Sequence, residues 1–116
     1  MGQDTSAVYN GTTALTPKFA AISGATSGDN TLVAAVADKK IRVLALFLVA
    51  KEAVDVRLES GAGGTALTGV VSLAANGGYV LPYNPVGWVE TASNTLLNME
   101  LSAAKQVSGS LVYVEV

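Results

Sequence analysis

The sequence predicts an all-β fold: an antiparallel β-sandwich, jelly-roll-like, of about eight short strands with an extended N-terminal arm. Three observations predict it. The apolar mass is small and branched, with 16 Val, 13 Leu and 18 Ala in 116 residues and only 6% aromatics. Val and Thr suit a pleated, half-buried surface. Apolar or alternating runs recur at spacings of about 8–12 residues with turn residues between them, as in sandwiches and barrels. No stretch of about eleven residues or more holds a 3.6-residue period with caps. A chain of 116 residues suits one domain. It can bury well over half of its unfolded surface, so a core needs no staples.

Taken in order, residues 1–30 are the least patterned. Asn10-Gly11-Thr12-Thr13, Thr16-Pro17 and residues 23–30 carry turn and loop chemistry. One short strand fits between them, at residues 18–22. This segment is expected to be an arm on a body formed by residues 31–116. Residues 31–36 are β-prone, and Asp38-Lys39 makes a turn. Ile41–Ala50 is apolar on both faces: Ile41, Val43, Ala45, Phe47 and Val49 point one way, and Leu44, Leu46 and Leu48 the other. In a two-sheet sandwich only one face of each sheet is core. The second face of this strand is therefore expected to meet the arm, a loop or another subunit.

Residues 54–59 alternate cleanly, apolar in and charged out. A Gly-rich turn follows at residues 61–64, then a strand at 67–73. Asn76-Gly77-Gly78 marks a tight hairpin turn. Residues 79–81 form a short strand that Pro82 ends, and Pro85 forces another corner. Strands at 86–91, 96–101 and 107–116 complete the series. In the second of these, Leu97, Met99 and Leu101 face one way, Asn98 and Glu100 the other.

The composition narrows the function. There is no Cys and no His, so disulfides, thiolate metal sites and the commonest general base are excluded. Charged residues make up 14%, against roughly 25% in an ordinary soluble domain. Such a surface suits a protein that lives partly covered. The net charge of −2 gives no dense basic face for nucleic acid. Lys39, Lys40, Arg42, Lys51 and Arg57 do cluster in sequence. They read either as a guarded strand edge or as a contact for an acidic partner. No signal peptide is visible, and the most apolar run is too short to span a bilayer as a helix.

Catalytic spacings are weak. Ser102-Ala103-Ala104-Lys105 matches S-x-x-K, but its companion motifs are absent. Trp88 near Glu90 resembles a sugar platform beside a carboxylate; the alternative is a packed corner with Glu90 in solvent. The acids are otherwise scattered, and Asp29, Asn30 and Asp38 lack calcium-loop spacing. No phosphate loop occurs. The chain is expected to be no enzyme and to hold no metal or cofactor. The one dense constellation is residues 79–88, with Tyr79, Tyr83, Pro82, Pro85 and the sole Trp, Trp88. Prolines fix the backbone and aromatics bring area. It reads as a rigid corner, as an interface hot spot, or as both.

Residues 67–116 resemble small virion proteins of tailed bacteriophages. The matching features are Leu73-Ala74-Ala75-Asn76-Gly77-Gly78, the Asn84-Pro85-Val86-Gly87-Trp88 corner, Leu101-Ser102-Ala103-Ala104 and the ending Gly109-x-x-Val112-Tyr113. The similarity extends over residues 38–116 and leaves out the arm. It implies a β-sandwich made in the host cytoplasm and built into the phage particle. The implied role is a capsid decoration or cement protein, a homotrimer bridging major capsid subunits. A head-fibre, tail or tail-fibre component with a carbohydrate-binding sandwich is the alternative. No nucleic acid and no membrane is expected as a partner. The candidate interface residues are Phe19, Leu44, Leu46, Leu48, Tyr79, Tyr83, Pro85 and Trp88.

Overall fold

The structure is a computed structural model, and it describes residues 8–116. Twelve strands follow one another among them. They are β1 (Val8–Asn10), β2 (Thr13–Leu15), β3 (Lys18–Gly24), β4 (Gly28–Val33), β5 (Ile41–Ala50) and β6 (Val54–Ser60). The rest are β7 (Thr65–Ala66), β8 (Val71–Leu73), β9 (Gly78–Leu81), β10 (Val89–Glu90), β11 (Leu97–Leu101) and β12 (Val107–Glu115). Every pairing is antiparallel. The first sheet runs β10-β5-β12-β3, with β9 also on β5; the second runs β4-β11-β6-β7, with β8 also on β6. The two five-stranded sheets pack as a β-sandwich, and β1 and β2 form a separate hairpin. The fold class is as the sequence predicts. The strands that match none of the expected ones are β1, β2 and β7, pieces of two or three residues each.

The core lies between the sheets. From the first sheet it takes Ile22, Ile41, Val43, Leu46, Leu48 and Leu111; from the second, Val56, Leu58, Leu97, Met99 and Leu101. The inward faces expected for residues 54–59 and 97–101 are present, with Val56 opposite Leu101 and Leu58 opposite Met99, but Glu59, expected outward, is fully buried on the other face.

Strand β5 departs from the expected alternation. Ile41, Val43, Leu46, Leu48 and Ala50 point into the core, and Phe47 and Val49 point out. The cause is a bulge. Val112 of β12 pairs with Ala45, but the next residue, Tyr113, pairs with Val43. Leu44 is the extra residue, so the side-chain phase flips at that point. Leu46 and Leu48, expected at an interface, are therefore core. Leu44 faces outward yet is buried, because the β1–β2 hairpin brings Val8 and Leu15 over it beside Val114. The arm thus supplies part of the cover the sequence called for.

The boundary at residue 30 also moves. Strand β3 pairs along its length with β12, and β4 pairs with β11 from Gly28 onward, so both belong to the body. Gly28, Asp29 and Asn30 read as a loop because each residue favours turns. Here their backbone joins the ladder while Asn30 Nδ2 donates to the carbonyls of Thr26 and Gly28. Of the strands among the described residues, only β1 and β2, before Pro17, lie outside the two sheets. The first seven residues of the expected arm fall outside the described ones.

The bulge makes a test of neighbouring residues. Leu48→Ala is expected to lower stability by about 2–5 kcal/mol, as for a filled core site. Phe47→Ala, one position away, is expected to cost less than about 1 kcal/mol. Urea denaturation of both variants checks this. Equal losses would place both side chains in the core.

Candidate docking surface

The outer face of the first sheet is built by cross-strand rows. Phe47 pairs with Val80 on one side and Ser110 on the other, and Ser110 pairs with Ala21. One step along, Ala45, Val112 and Phe19 form a second row. One step the other way, Val49, Ser108 and Ser23 form a third. None of these residues is charged. Phe19 is 77% exposed, Val80 68% and Phe47 50%. A shallow groove of about 280 Å³ runs along this face, lined by Phe47, Val80, Tyr83, Ser110 and Val112 among others. The β1–β2 hairpin covers one end of the sheet, and the other end stays open.

The corner at residues 82–88 flanks this groove. Its shape comes from a turn in which Gly87 N–H donates to Asn84 C=O at 2.9 Å, with Pro85 at the second position and Gly87 at φ +94°. Only glycine holds that conformation at no steric cost. Asn84 Oδ1 accepts from Val86 N–H at 3.0 Å and tightens the turn. Both ends are tied to β5 at the bulge: Asn84 N–H donates to Leu44 C=O at 2.9 Å, and Trp88 N–H to Val43 C=O at 2.8 Å. The corner therefore spans the place where β9 gives way to β10 along the edge of β5.

Of the expected interface residues, Phe19 and Tyr83 lie exposed on or beside the open face. Pro85 is exposed at the tip of the corner. Trp88 is 43% exposed, and its Nε1 donates to Pro82 C=O at 2.7 Å. Tyr79 leans inward against the core, and its hydroxyl is buried with no partner among the described residues. Burial pushes that phenol above its usual range. Leu44, Leu46 and Leu48 are buried within the chain. Phe47, Val49 and Val80 are the surface residues that pattern reading passed over. The bulge that turns Phe47 and Val49 outward leaves no mark in the sequence.

The chemical candidates are placed as follows. Glu90 beside Trp88 is held by Arg42 Nε at 2.7 Å, with Lys40 Nζ at 3.8 Å. Ser102 Oγ accepts from Asp55 N–H at 2.9 Å, while Lys105 Nζ meets Glu52 at 3.4 Å. Neither pair brings a base to a nucleophile.

The second sheet carries a polar network on its outer face that sequence reading missed. Carboxylate oxygens of Asp29, Glu59 and Glu100 lie within 4.8 Å of one another. Glu59 is fully buried. Its Oε1 accepts from Asn98 Nδ2 at 3.0 Å, and its Oε2 accepts from Arg57 Nε at 2.8 Å and from Arg57 Nη2. Asn98 Nδ2 also donates to Asp29 Oδ1 at 2.9 Å. Each oxygen of Glu59 thus has a donor, which is the arrangement of a closed ion-pair network. The Glu59 carboxyl, by hydrogen bonding and then by charge, pushes Glu100 above the usual carboxylate range. The hint in the sequence was Asn98 between Leu97 and Met99, a polar group on a strand whose other face is core.

No protein-family model matches this chain, and no curated protein matches it either.

The Glu59–Glu100 pair fixes a pH dependence. A carboxyl with a raised native pKa binds its proton more tightly when folded. Its stabilising contribution is complete below the ordinary carboxylate value and is lost as pH rises through the raised one. Melting temperature is expected to fall across that window, and Glu100→Gln to remove this component. Thermal unfolding at a series of pH values checks it; an unchanged profile in the variant would refute it.

Proposed function

We propose that the chain is a structural virion protein of a tailed phage, a capsid decoration protein that docks on major capsid subunits. The observation that carries the docking is the uncharged outer face of the first sheet, with Phe19, Phe47, Val49 and Val80 exposed on it. Monomeric proteins rarely leave contiguous apolar patches open without a use. The resemblance of residues 67–116 to phage virion proteins supplies the partner.

The mechanism is apolar burial at a joint. Each Å² of apolar surface removed from water contributes about 25 cal/mol before ordering losses are subtracted. Because the face is uncharged, binding depends on fit and hardly on salt. Many copies per particle would together oppose the outward pressure of packaged DNA. The Trp88 corner suits a saccharide less well, since its indole N–H is spent on Pro82 and Glu90 on Arg42.

Adding the purified chain to phage heads that lack it tests the reading. The wild type is expected to bind and to raise the temperature at which heads release DNA. Phe47→Asp and Val80→Asp are each expected to weaken binding by about tenfold or more, with the melting of the free chain nearly unchanged. Equal binding by all three proteins, or none by the wild type, would overturn the proposal.

A further inference from the structure

We propose that two copies of this chain pair edge to edge through β3, antiparallel, about a two-fold axis at Ala21. The inference concerns a strand edge whose Phe19, Ala21 and Ser23 also border the docking face, but it does not rest on the docking.

Among the described residues, strand β3 ends the first sheet and pairs with β12 alone. The hydrogen bonds on its other side follow from the ladder. Lys51 N–H donates to Gln106 C=O at 2.9 Å, so Gln106 bonds toward β5. Bonding direction alternates along a strand. Hence Ser108 and Ser110 also bond toward β5, while Val107, Gly109 and Leu111 bond toward β3. Their partners there are Gly24, Ile22 and Ala20. Phe19, Ala21 and Ser23 must then turn their N–H and C=O groups to the open side. That is an unbroken row of donors and acceptors ready for another strand.

The edge also lacks the devices that keep sheet edges apart. Native edges are shortened, bulged, charged or broken by proline. The other edges use them. Strand β4 carries Asp29, and its register with β11 shifts between Leu97 and Asn98. Strand β9 has four residues and stops before Pro82. Strands β7, β8 and β10 have two or three residues each. Strand β3 has seven residues, a continuous register with β12, no proline and one charge. That charge, Lys18, sits at its end and is paired with Glu115 at 3.0 Å.

What points to a second copy is self-complementarity. Antiparallel pairing about Ala21 sets Phe19 opposite Ser23 of the second copy and Ala21 opposite Ala21. On the inner face Ala20 meets Ile22, and Lys18 meets Gly24. Large side chains meet small ones, and the charge meets none. Phe19, the most exposed residue of the strand, would lie over Ser23 and Ala21 of the second copy. Shifting the axis by one residue faces the wrong backbone groups to each other. Shifting it to Phe19 sets Pro17 opposite Ala21, and Pro has no N–H to give. The three-fold ring implied by the phage resemblance would instead need β3 to pair with a different edge, and each of those is short or charged.

Light scattering of the full chain tests this. The wild type is expected at twice the monomer mass of 11.7 kDa. Ala21→Lys puts like charges face to face at the axis, and Ala21→Glu does the same. Each alone is expected at the monomer mass with an unchanged circular-dichroism spectrum. An equimolar mixture of the two is expected to recover the dimer, because Lys then faces Glu. Phe47→Asp is expected to remain dimeric, which separates this edge from the docking face. A monomeric or trimeric wild type would overturn the proposal. So would a dimer that Ala21→Lys leaves intact, or a mixture that stays monomeric while both variants keep the native spectrum.

Discussion

Strand β5 carries more apolar side chains than one layer can hide, and the rest of the molecule is arranged around that constraint. Nine of its ten residues, all but Arg42, are apolar. A regular strand would commit every second one to a single face. The bulge at Leu44 divides them instead. Ile41 and Val43 below it, and Leu46, Leu48 and Ala50 above it, all reach the same core. The residues left over are Leu44, Ala45, Phe47 and Val49. The hairpin takes the first, and the other three lie on the open face. The corner at residues 84–88 bonds to the carbonyls of Val43 and Leu44, so it holds the bulge from the edge of the sheet. One extra residue thus links the hairpin, the corner and the exposed patch.

The two outer faces answer exposure differently. On the second sheet, Arg57, Glu59, Asn98 and Asp29 satisfy one another, and Glu59 is closed off from water. Such a face is complete in itself, since every buried charge already has its donor or acceptor. On the first sheet the open rows hold Phe, Val, Ala and Ser, which leave water on a surface that gains by losing it. The first sheet therefore leaves apolar surface open, and the second closes its polar groups among themselves.

What could be read in the sequence follows the same division. The inward faces of strands whose pattern is decided by period two, such as Val54–Ser60 and Leu97–Leu101, were legible, though the burial of Glu59 and Asn98 on their other face was not. The apolar excess of Ile41–Ala50 was legible as a need for cover, and the hairpin meets part of it. The phase flip was not legible, because Leu-Ala inside an apolar run carries no bulge signal and only the pairing with Val112 and Tyr113 sets it. Strand β4 was hidden for the opposite reason. Gly28, Asp29 and Asn30 favour turns locally, and tertiary pairing with β11 overrides that preference. The carboxylate network was hidden because Asp29, Glu59 and Glu100 are far apart in the chain and meet only through strand order.

Strand β12 lies between β5 and β3 and follows both in the chain. Lys18 and Glu115, joined by an ion pair, are 97 residues apart. During synthesis the second sheet can assemble β4, β6 and β11 before β12 exists. The first sheet cannot close: β5 waits with one edge unpaired, and β3 with both, until β12 arrives between them. Closing so distant a pairing is slow, and the waiting edges are apolar. The nascent chain is thus most vulnerable to aggregation just before its sheet is completed, and the quality of β12 sets how long that interval lasts.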